Sequence, residues 1–401
     1  MTSRLRGPAF ALLAAAVGLA AAGRPAATAQ DAKPGKLVMP PKPVREFKLP
    51  QLGTATIEAS TFIEVDAART QFKVTGKGLA AAVLDTGLNT KHVDFAGRVP
   101  VQKNFTTEGG ADDATDTHGH GTNVAGILAA NKDHVGMAPD AKLIPLKVLG
   151  EGGSLEPALQ WVLDNHAPDK QNITVVNMSL SDGSNHTNPD AFAATESVRV
   201  LMRKLKDARV AVVVAAGNEF FPQNSKEGMG YPAIFPEAIS VGAVYDAPIA
   251  EFTYANGAKV KTGTAGRITP FSQRLHPDTD PKKSFTDVFA PGAPVTSSGI
   301  DGPTGESIQS GTSQAAPVTA GTVLLMQEFY IRSTNERPTV DQLKKWLRDG
   351  AKKMKDGDDE DDNVQHPNPP KEYLQLNALG AMKAIERELR QKLLKGEVIK
   401  K

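Results

Sequence analysis

The chain contains no cysteine among its 401 residues. That absence removes disulfides, thiolate nucleophiles, zinc ribbons and Cys-ligated clusters together. It does not set the compartment, since exported proteins also do without disulfides. Charge of one sign is equally lacking: 46 Lys and Arg face 45 Asp and Glu, a formal net charge of +1. No global field therefore favours nucleic acid or an anionic membrane. No basic run with interleaved aromatics stands in for one, which excludes nucleic acid as a partner. Beyond the first thirty residues no apolar stretch reaches the length of a membrane span. Internal repeats and low-complexity domains are also missing.

What is present is the balance of a soluble protein, 40% apolar and 23% charged, able to bury a large core. The first residues read as an export signal. Arg4 and Arg6 precede a short apolar run from Ala9 to Ala22, and Ala27-Thr28-Ala29 offers small residues for cleavage. A signal peptide over 1–29, cut to leave Gln30 first, predicts a secreted or periplasmic protein with no membrane attachment after cleavage. Residues 30–64 form the next unit. Pro34, Pro40, Pro41, Pro43 and Pro50 deny its first half helix and ladder hydrogen bonds, so it reads as an extended arm or short propeptide. Its 35 residues (64 − 30 + 1) are too few to fold alone as an inhibitory domain.

From about Val65 short apolar runs alternate with helical patterns. Leu79–Leu84, Leu143–Leu149, Ile173–Met178 and Val210–Ala216 are near-continuous apolar runs of strand length, as expected of strands covered on both faces. Between them, Thr122–Ala130, Leu155–Asn165 and Phe192–Leu205 carry apolar residues at helical spacing. The alternation predicts a three-layer α/β fold, a parallel sheet flanked by helices, with sites at the carboxyl ends of strands. Ala247–Pro270 is polar and glycine-bearing, an inserted loop or hairpin. Helices are predicted from Ser313 to Tyr330, over Val340–Asp349 and over Leu376–Leu394, with the acidic run Asp356–Asp362 as a solvated loop between the last two. The units are then a main domain over 65–335 and a helical extension with an acidic loop over 336–401.

Three segments carry chemistry. Val83-Leu84-Asp85-Thr86-Gly87 places an acid at the end of a buried strand. His120-Gly121-Thr122-Asn123-Val124-Ala125-Gly126 opens a helix of small residues with a histidine. Gly311-Thr312-Ser313-Gln314-Ala315-Ala316-Pro317 places a serine at a helix start. A serine hydroxyl is a weak nucleophile until an adjacent base takes its proton. Histidine suits that task near neutrality, and a buried carboxylate fixes its tautomer and stabilises the imidazolium. A helix N-terminus aims free N–H groups at developing negative charge.

Together these segments, in the order Asp, His, Ser, resemble the three signature blocks of the subtilases, the subtilisin-like serine peptidases. A fourth segment, Val213-Val214-Ala215-Ala216-Gly217-Asn218-Glu219, resembles the strand and turn that bear the family's oxyanion asparagine. The resemblance runs from about Val65 to Tyr330 and more faintly through Tyr373–Ala384. It implies a serine endopeptidase with Asp85, His120 and Ser313 as the triad and Asn218 as an oxyanion donor. It further implies a protein or peptide substrate bound as an extended strand along Ser179 and Leu180. Ala215, Ala216, Gly217 and Gly230 would line the primary pocket. No cofactor is required for catalysis and no metal ligands are assigned, although structural calcium is frequent in the family. Oligomeric state is not legible.

Competing readings are specific. Asp-Thr-Gly also occurs in aspartic proteases, which need two such carboxylates, and no second copy exists here. His118 rivals His120, but only His120 is followed by Gly-Thr. Asp116 is read as a turn-stabilising acid. The chain departs from the family at Asn123, where a second histidine is common, and at Gln314, where methionine is commonest. Ser181-Asp182 replaces a frequent glycine pair, and Phe220-Phe221 follows Glu219. The acidic run fits no EF-hand spacing. The alternatives in function are a catalytically silent subtilase fold that binds, and a dedicated processing protease.

Overall fold

The computed structural model describes residues 32–42, 55–280, 283–357 and 361–396. The signal peptide expected over 1–29 lies outside these. In chain order the helices are α1 (Ala55–Phe62), α2 (Val65–Phe72), α3 (His120–Ala129), α4 (Glu156–Asn165), α5 (Ser197–Asp207), α6 (Thr312–Thr334), α7 (Val340–Gly350) and α8 (Ala378–Leu394). The strands are β1 (Ala80–Asp85), β2 (Lys103–Asn104), β3 (Lys142–Lys147), β4 (Ile173–Met178), β5 (Ala211–Ala215), β6 (Ala238–Val244), β7 (Phe252–Thr253), β8 (Lys259–Thr262), β9 (Val288–Pro291), β10 (Val295–Ser298), β11 (Glu306–Gln309), β12 (Lys352–Asp356), β13 (Asp361–Asp362) and β14 (Lys371–Gln375).

Nine strands make one sheet in the order β12-β14-β9-β6-β5-β4-β1-β3-β2. Every pairing is parallel except β12 with β14. The central strands are buried along their whole length, which accounts for their unbroken apolar sequences. Alternate residues of β1 serve opposite layers. Ala81 and Val83 join a core with Val124 of α3 and Val323 of α6, whereas Ala80, Ala82 and Leu84 join one with Leu159 of α4 and Leu205 of α5. The three-layer α/β expectation therefore holds. β1 pairs with β3 on one side and β4 on the other, so the strand order reverses about β1. The carboxyl ends of β1 and β4 thus flank a topological switch point, where such sheets bind ligands.

Two sequence expectations differ from the structure. The helix read from Phe192 begins at Ser197, because the Glu196 side chain accepts from the N–H groups of Val198 and Arg199 and fixes the start there. The acidic run is not a wholly solvated interhelical loop. Asp356 ends β12, is buried, and holds the fully buried Arg274 at 2.7 Å, while Asp361 and Asp362 form β13 against β8. β12 and β14 extend the main sheet, and Trp346 of α7 lies at 0% exposure in the same core as Leu376 and Val124. Among the described residues no helix is long and apolar enough to cross a membrane.

Candidate active site

Asp85 closes β1 at 0% exposure. Its Oδ1 accepts from the Thr86 N–H and lies 2.7 Å from Nδ1 of His120, the first residue of α3. That helix can come so close because Gly121 faces Gly87: a Cβ at 121 would collide with the Gly87 carbonyl oxygen. The turn leading into α3 is held by Asp116. Its carboxylate accepts from Thr86 Oγ1, from the N–H groups of His118, Gly119 and Thr122, and from Thr122 Oγ1, at 2.7–2.9 Å. Burial alone would raise the Asp116 pKa, but these donors hold it below the ordinary value. This is the turn-stabilising geometry expected of it. His118 is pushed down, by burial first and by neighbouring His120 second.

Ser313 is the second residue of α6. Its hydroxyl donates to the Ser179 carbonyl at 3.2 Å, and the Ser179 hydroxyl donates back to the Ser313 carbonyl at 2.7 Å. This exchange locks the end of β4 to the start of α6. Asn218 follows β5 through Gly217, whose φ of +113° is a conformation suited to glycine. The Asn218 Oδ1 accepts from both the N–H and the hydroxyl of Thr312, at 2.9 and 3.0 Å. With the carbonyl side so occupied, the Nδ2 donors face away from Thr312. Acid, imidazole, hydroxyl and amide therefore converge from the ends of β1 and β5 and the starts of α3 and α6.

A cavity of about 360 Å³ adjoins Ser313, lined by Ser179, Leu180, Ala215, Gly217 and Asn218. Ala216 and Gly230, expected in the pocket, are not part of this lining; a Gly230 N–H bond to the Ala216 carbonyl at 2.9 Å joins them. Glu219 also lines the cavity, its carboxyl pushed up by burial. The other wall is the N-terminal arm. Ala32 N–H donates to the Ala191 carbonyl, Gly35 N–H to Asp182 Oδ2 and Val38 N–H to the Ser181 carbonyl, at 2.9–3.0 Å. Pro40 and Pro41 reach Ser313 and His120, bordering a second space of about 120 Å³. The extended arm was legible from its prolines; its seat on Ser181 and Asp182 was not. The signal was present in those two departures from the glycine pair, which supply the carboxylate that grips Gly35.

Among the described residues one group, His92, Asp94 and His134, brings three potential metal donors within 4.8 Å of one another. Two imidazoles do not suit calcium, which takes oxygen ligands, and each side chain is already hydrogen bonded. His134 Nδ1 lies 2.8 Å from Asp94 Oδ2, Ser298 donates to the same oxygen at 2.6 Å, and His92 Nε2 meets the Gly305 carbonyl at 2.8 Å. Burial works to raise the Asp94 pKa, yet the bonds from His134 and Ser298 hold it far below the carboxylate range.

Residues 76–368 match the model of peptidase S8, the subtilase family. The chain belongs to that family. It is 40% identical to the major intracellular serine protease of Bacillus subtilis strain 168 over 192 residues, 46% of this chain and 56% of that one. It is 31% identical to an intracellular serine protease of Paenibacillus polymyxa over 261 residues, 63% and 68% of the two chains. A subtilisin of Bacillus sp. strain TA39 is 34% identical over 274 residues, 65% of this chain and 59% of that one. The match to the first of these thus spans little more than half of the relative's length.

Proposed function

We propose that this chain is an exported serine endopeptidase that cuts internal peptide bonds through an acyl-enzyme on Ser313. The observation that carries the reading is the buried 2.7 Å pair of Asp85 and His120 at the mouth of the sheet, with Asn218 oriented by Thr312 beside Ser313. In the reaction His120 Nε2 takes the Ser313 proton as Oγ attacks the carbonyl carbon, and Asp85 holds the Nδ1–H and stabilises the imidazolium. The Ser313 N–H, free at the helix start, and Asn218 Nδ2 donate to the tetrahedral oxygen. His120 then gives the proton to the leaving amine, and water repeats the sequence to release the acyl group. No cofactor enters these steps.

The substrate is a protein or peptide lying as an added strand beside Ser179–Ser181, the edge on which the arm already lies. An N-terminal segment seated there favours a protease held in check until the arm leaves. Export rests on Arg4, Arg6, the Ala9–Ala22 run and Ala27-Thr28-Ala29, although two of the relatives are named intracellular. The test is a fluorophosphonate probe: it should label Ser313 in the wild type and nothing in Ser313→Ala. An unlabelled wild type, with or without the arm, would leave the catalytically silent binding protein as the better reading.

A further inference from the structure

The two departures from the family pattern beside the site are one feature in space. Asn123 stands one turn beyond His120 on α3 and Gln314 directly follows Ser313 on α6. Both are buried, at 0% and 1% exposure. Gln314 Nε2 donates to Asn123 Oδ1 at 3.2 Å. Asn123 Nδ2 in turn donates to the carbonyl and the hydroxyl oxygen of Ser307 in β11, at 2.9 and 3.1 Å. Gln309, two residues on, donates to the Gly119 carbonyl at 3.0 Å and to Ser307 Oγ at 3.2 Å. We propose that Asn123 and Gln314 form an amide clamp that sets the spacing of His120 and Ser313, and that both are positioning residues for the reaction. The inference rests on the triad reading.

The direction of every link is fixed. The Ser307 carbonyl can only accept, so the Asn123 NH₂ must face β11 and its oxygen must face α6. An oxygen buried there needs a donor, and the Gln314 NH₂ supplies it. Flipping the Asn123 amide would set two NH₂ groups against each other and two carbonyls against each other. The network therefore has one arrangement. Around it the helices meet closely: a Cβ on Gly321 of α6 would come within 3.2 Å of the Leu128 carbonyl oxygen of α3, and the small residues Ala125 of α3 and Ala315 and Ala316 of α6 share one core. Small residues allow close approach but interlock weakly, so apolar packing alone leaves the helices free to slide. A hydrogen bond between the turn of the base and the turn of the nucleophile removes that freedom. Misplacement of reacting groups by about 1 Å can cost roughly 10²-fold in rate.

Gln314→Met keeps the side-chain volume and removes the donor, and Asn123→Ala removes the acceptor. Each should lower kcat roughly tenfold while KM stays within about twofold, because ground-state binding along Ser179–Ser181 is untouched. The rate constant of fluorophosphonate labelling should fall by the same factor, since labelling needs the Ser313–His120 geometry and no extended substrate. The double variant should lose no more than the worse single one, as partners in one interaction do. Measured on the full chain, additive losses, or a lower melting temperature with unchanged kcat and labelling rate, would overturn the clamp alone. A wild type that the probe labels neither as the full chain nor after removal of residues 30–54 would overturn the triad reading and the clamp with it. Should Asn123→Ala fail to fold, Gln314→Met still decides through its labelling rate.

Discussion

The Val38 N–H donates to the Ser181 carbonyl at 2.9 Å, and two residues before Ser181 stands Ser179, whose carbonyl accepts the Ser313 hydroxyl at 3.2 Å. The arm and this edge run in opposite directions, since Gly35 meets Asp182 while Pro40 and Pro41 reach Ser313. Two residues on from Val38, Pro40 falls level with Ser179. A strand at that position normally donates an N–H, but proline has none, and the Ser179 carbonyl takes the Ser313 hydroxyl instead. A hydroxyl has one proton to give. While Ser179 receives it, His120 does not.

The seated arm should therefore inhibit. A chain lacking residues 30–54 is expected to show an initial rate at least roughly tenfold above the full chain, because a tethered strand competes at an effective concentration near the millimolar range. A synthetic peptide of residues 32–42 added in trans should inhibit the shortened chain competitively, and Asp182→Ala should weaken the inhibition by removing the Gly35 contact. Equal rates for the two chains, together with no inhibition by the peptide, would show that the arm does not control the site.

Ser313→Ala and His120→Ala should each nearly abolish hydrolysis, and the double variant should be scarcely worse, since triad members act as a unit. Hydrolysis of a chromogenic peptide retained by either single variant would remove that residue from the triad.

Asn218→Leu removes the donor and leaves Thr312 without its acceptor. In subtilisin the loss of the corresponding donor costs about 10²–10³ in kcat, and a fall on that scale with little change in KM is expected here. A change confined to KM would make Asn218 a substrate-binding residue only.

How much of this was legible depended on whether a feature is local in the chain. Asp85, His120, Ser313 and Asn218 each sit in a short segment whose strand-end or helix-start character is written in adjacent residues, so their place in the fold could be read directly. The buried runs of β1 and β4 were equally plain. Residues 352–356, Lys-Lys-Met-Lys-Asp, gave no strand signal, because β12 is an edge strand with only Met354 and Asp356 buried. Its place is set by Arg274, 82 residues away. The Asn123–Gln314 bond likewise joins residues 191 apart; each read alone as a mild departure, and only the packing of α3 on α6 pairs them.

The same long-range logic governs the stability of the C-terminal segment. His366 puts Nδ1 2.9 Å from Asp356 Oδ1 and Nε2 3.1 Å from Asp362 Oδ1, bridging the two ends of the acidic run. Burial alone would lower its pKa, but these two hydrogen bonds and the charges behind them raise it to about 9. Asp356 also holds Arg274, which stacks on Phe220 with its guanidinium 3.5 Å from the ring centre. A histidine whose folded pKa is raised binds its proton more tightly folded than unfolded. Its stabilisation is therefore complete below the unfolded value, about 6.5, and fades as pH climbs through about 9. At about 1.36 kcal/mol per pKa unit, the amount at stake is on the order of 3 kcal/mol. Wild-type urea midpoints should fall between pH 6.5 and 9.5, whereas His366→Gln should start lower and vary less, so that the two curves converge at the alkaline end. Parallel curves across that range would show that His366 titrates alike in folded and unfolded chains and that the bridge does not favour its protonated form.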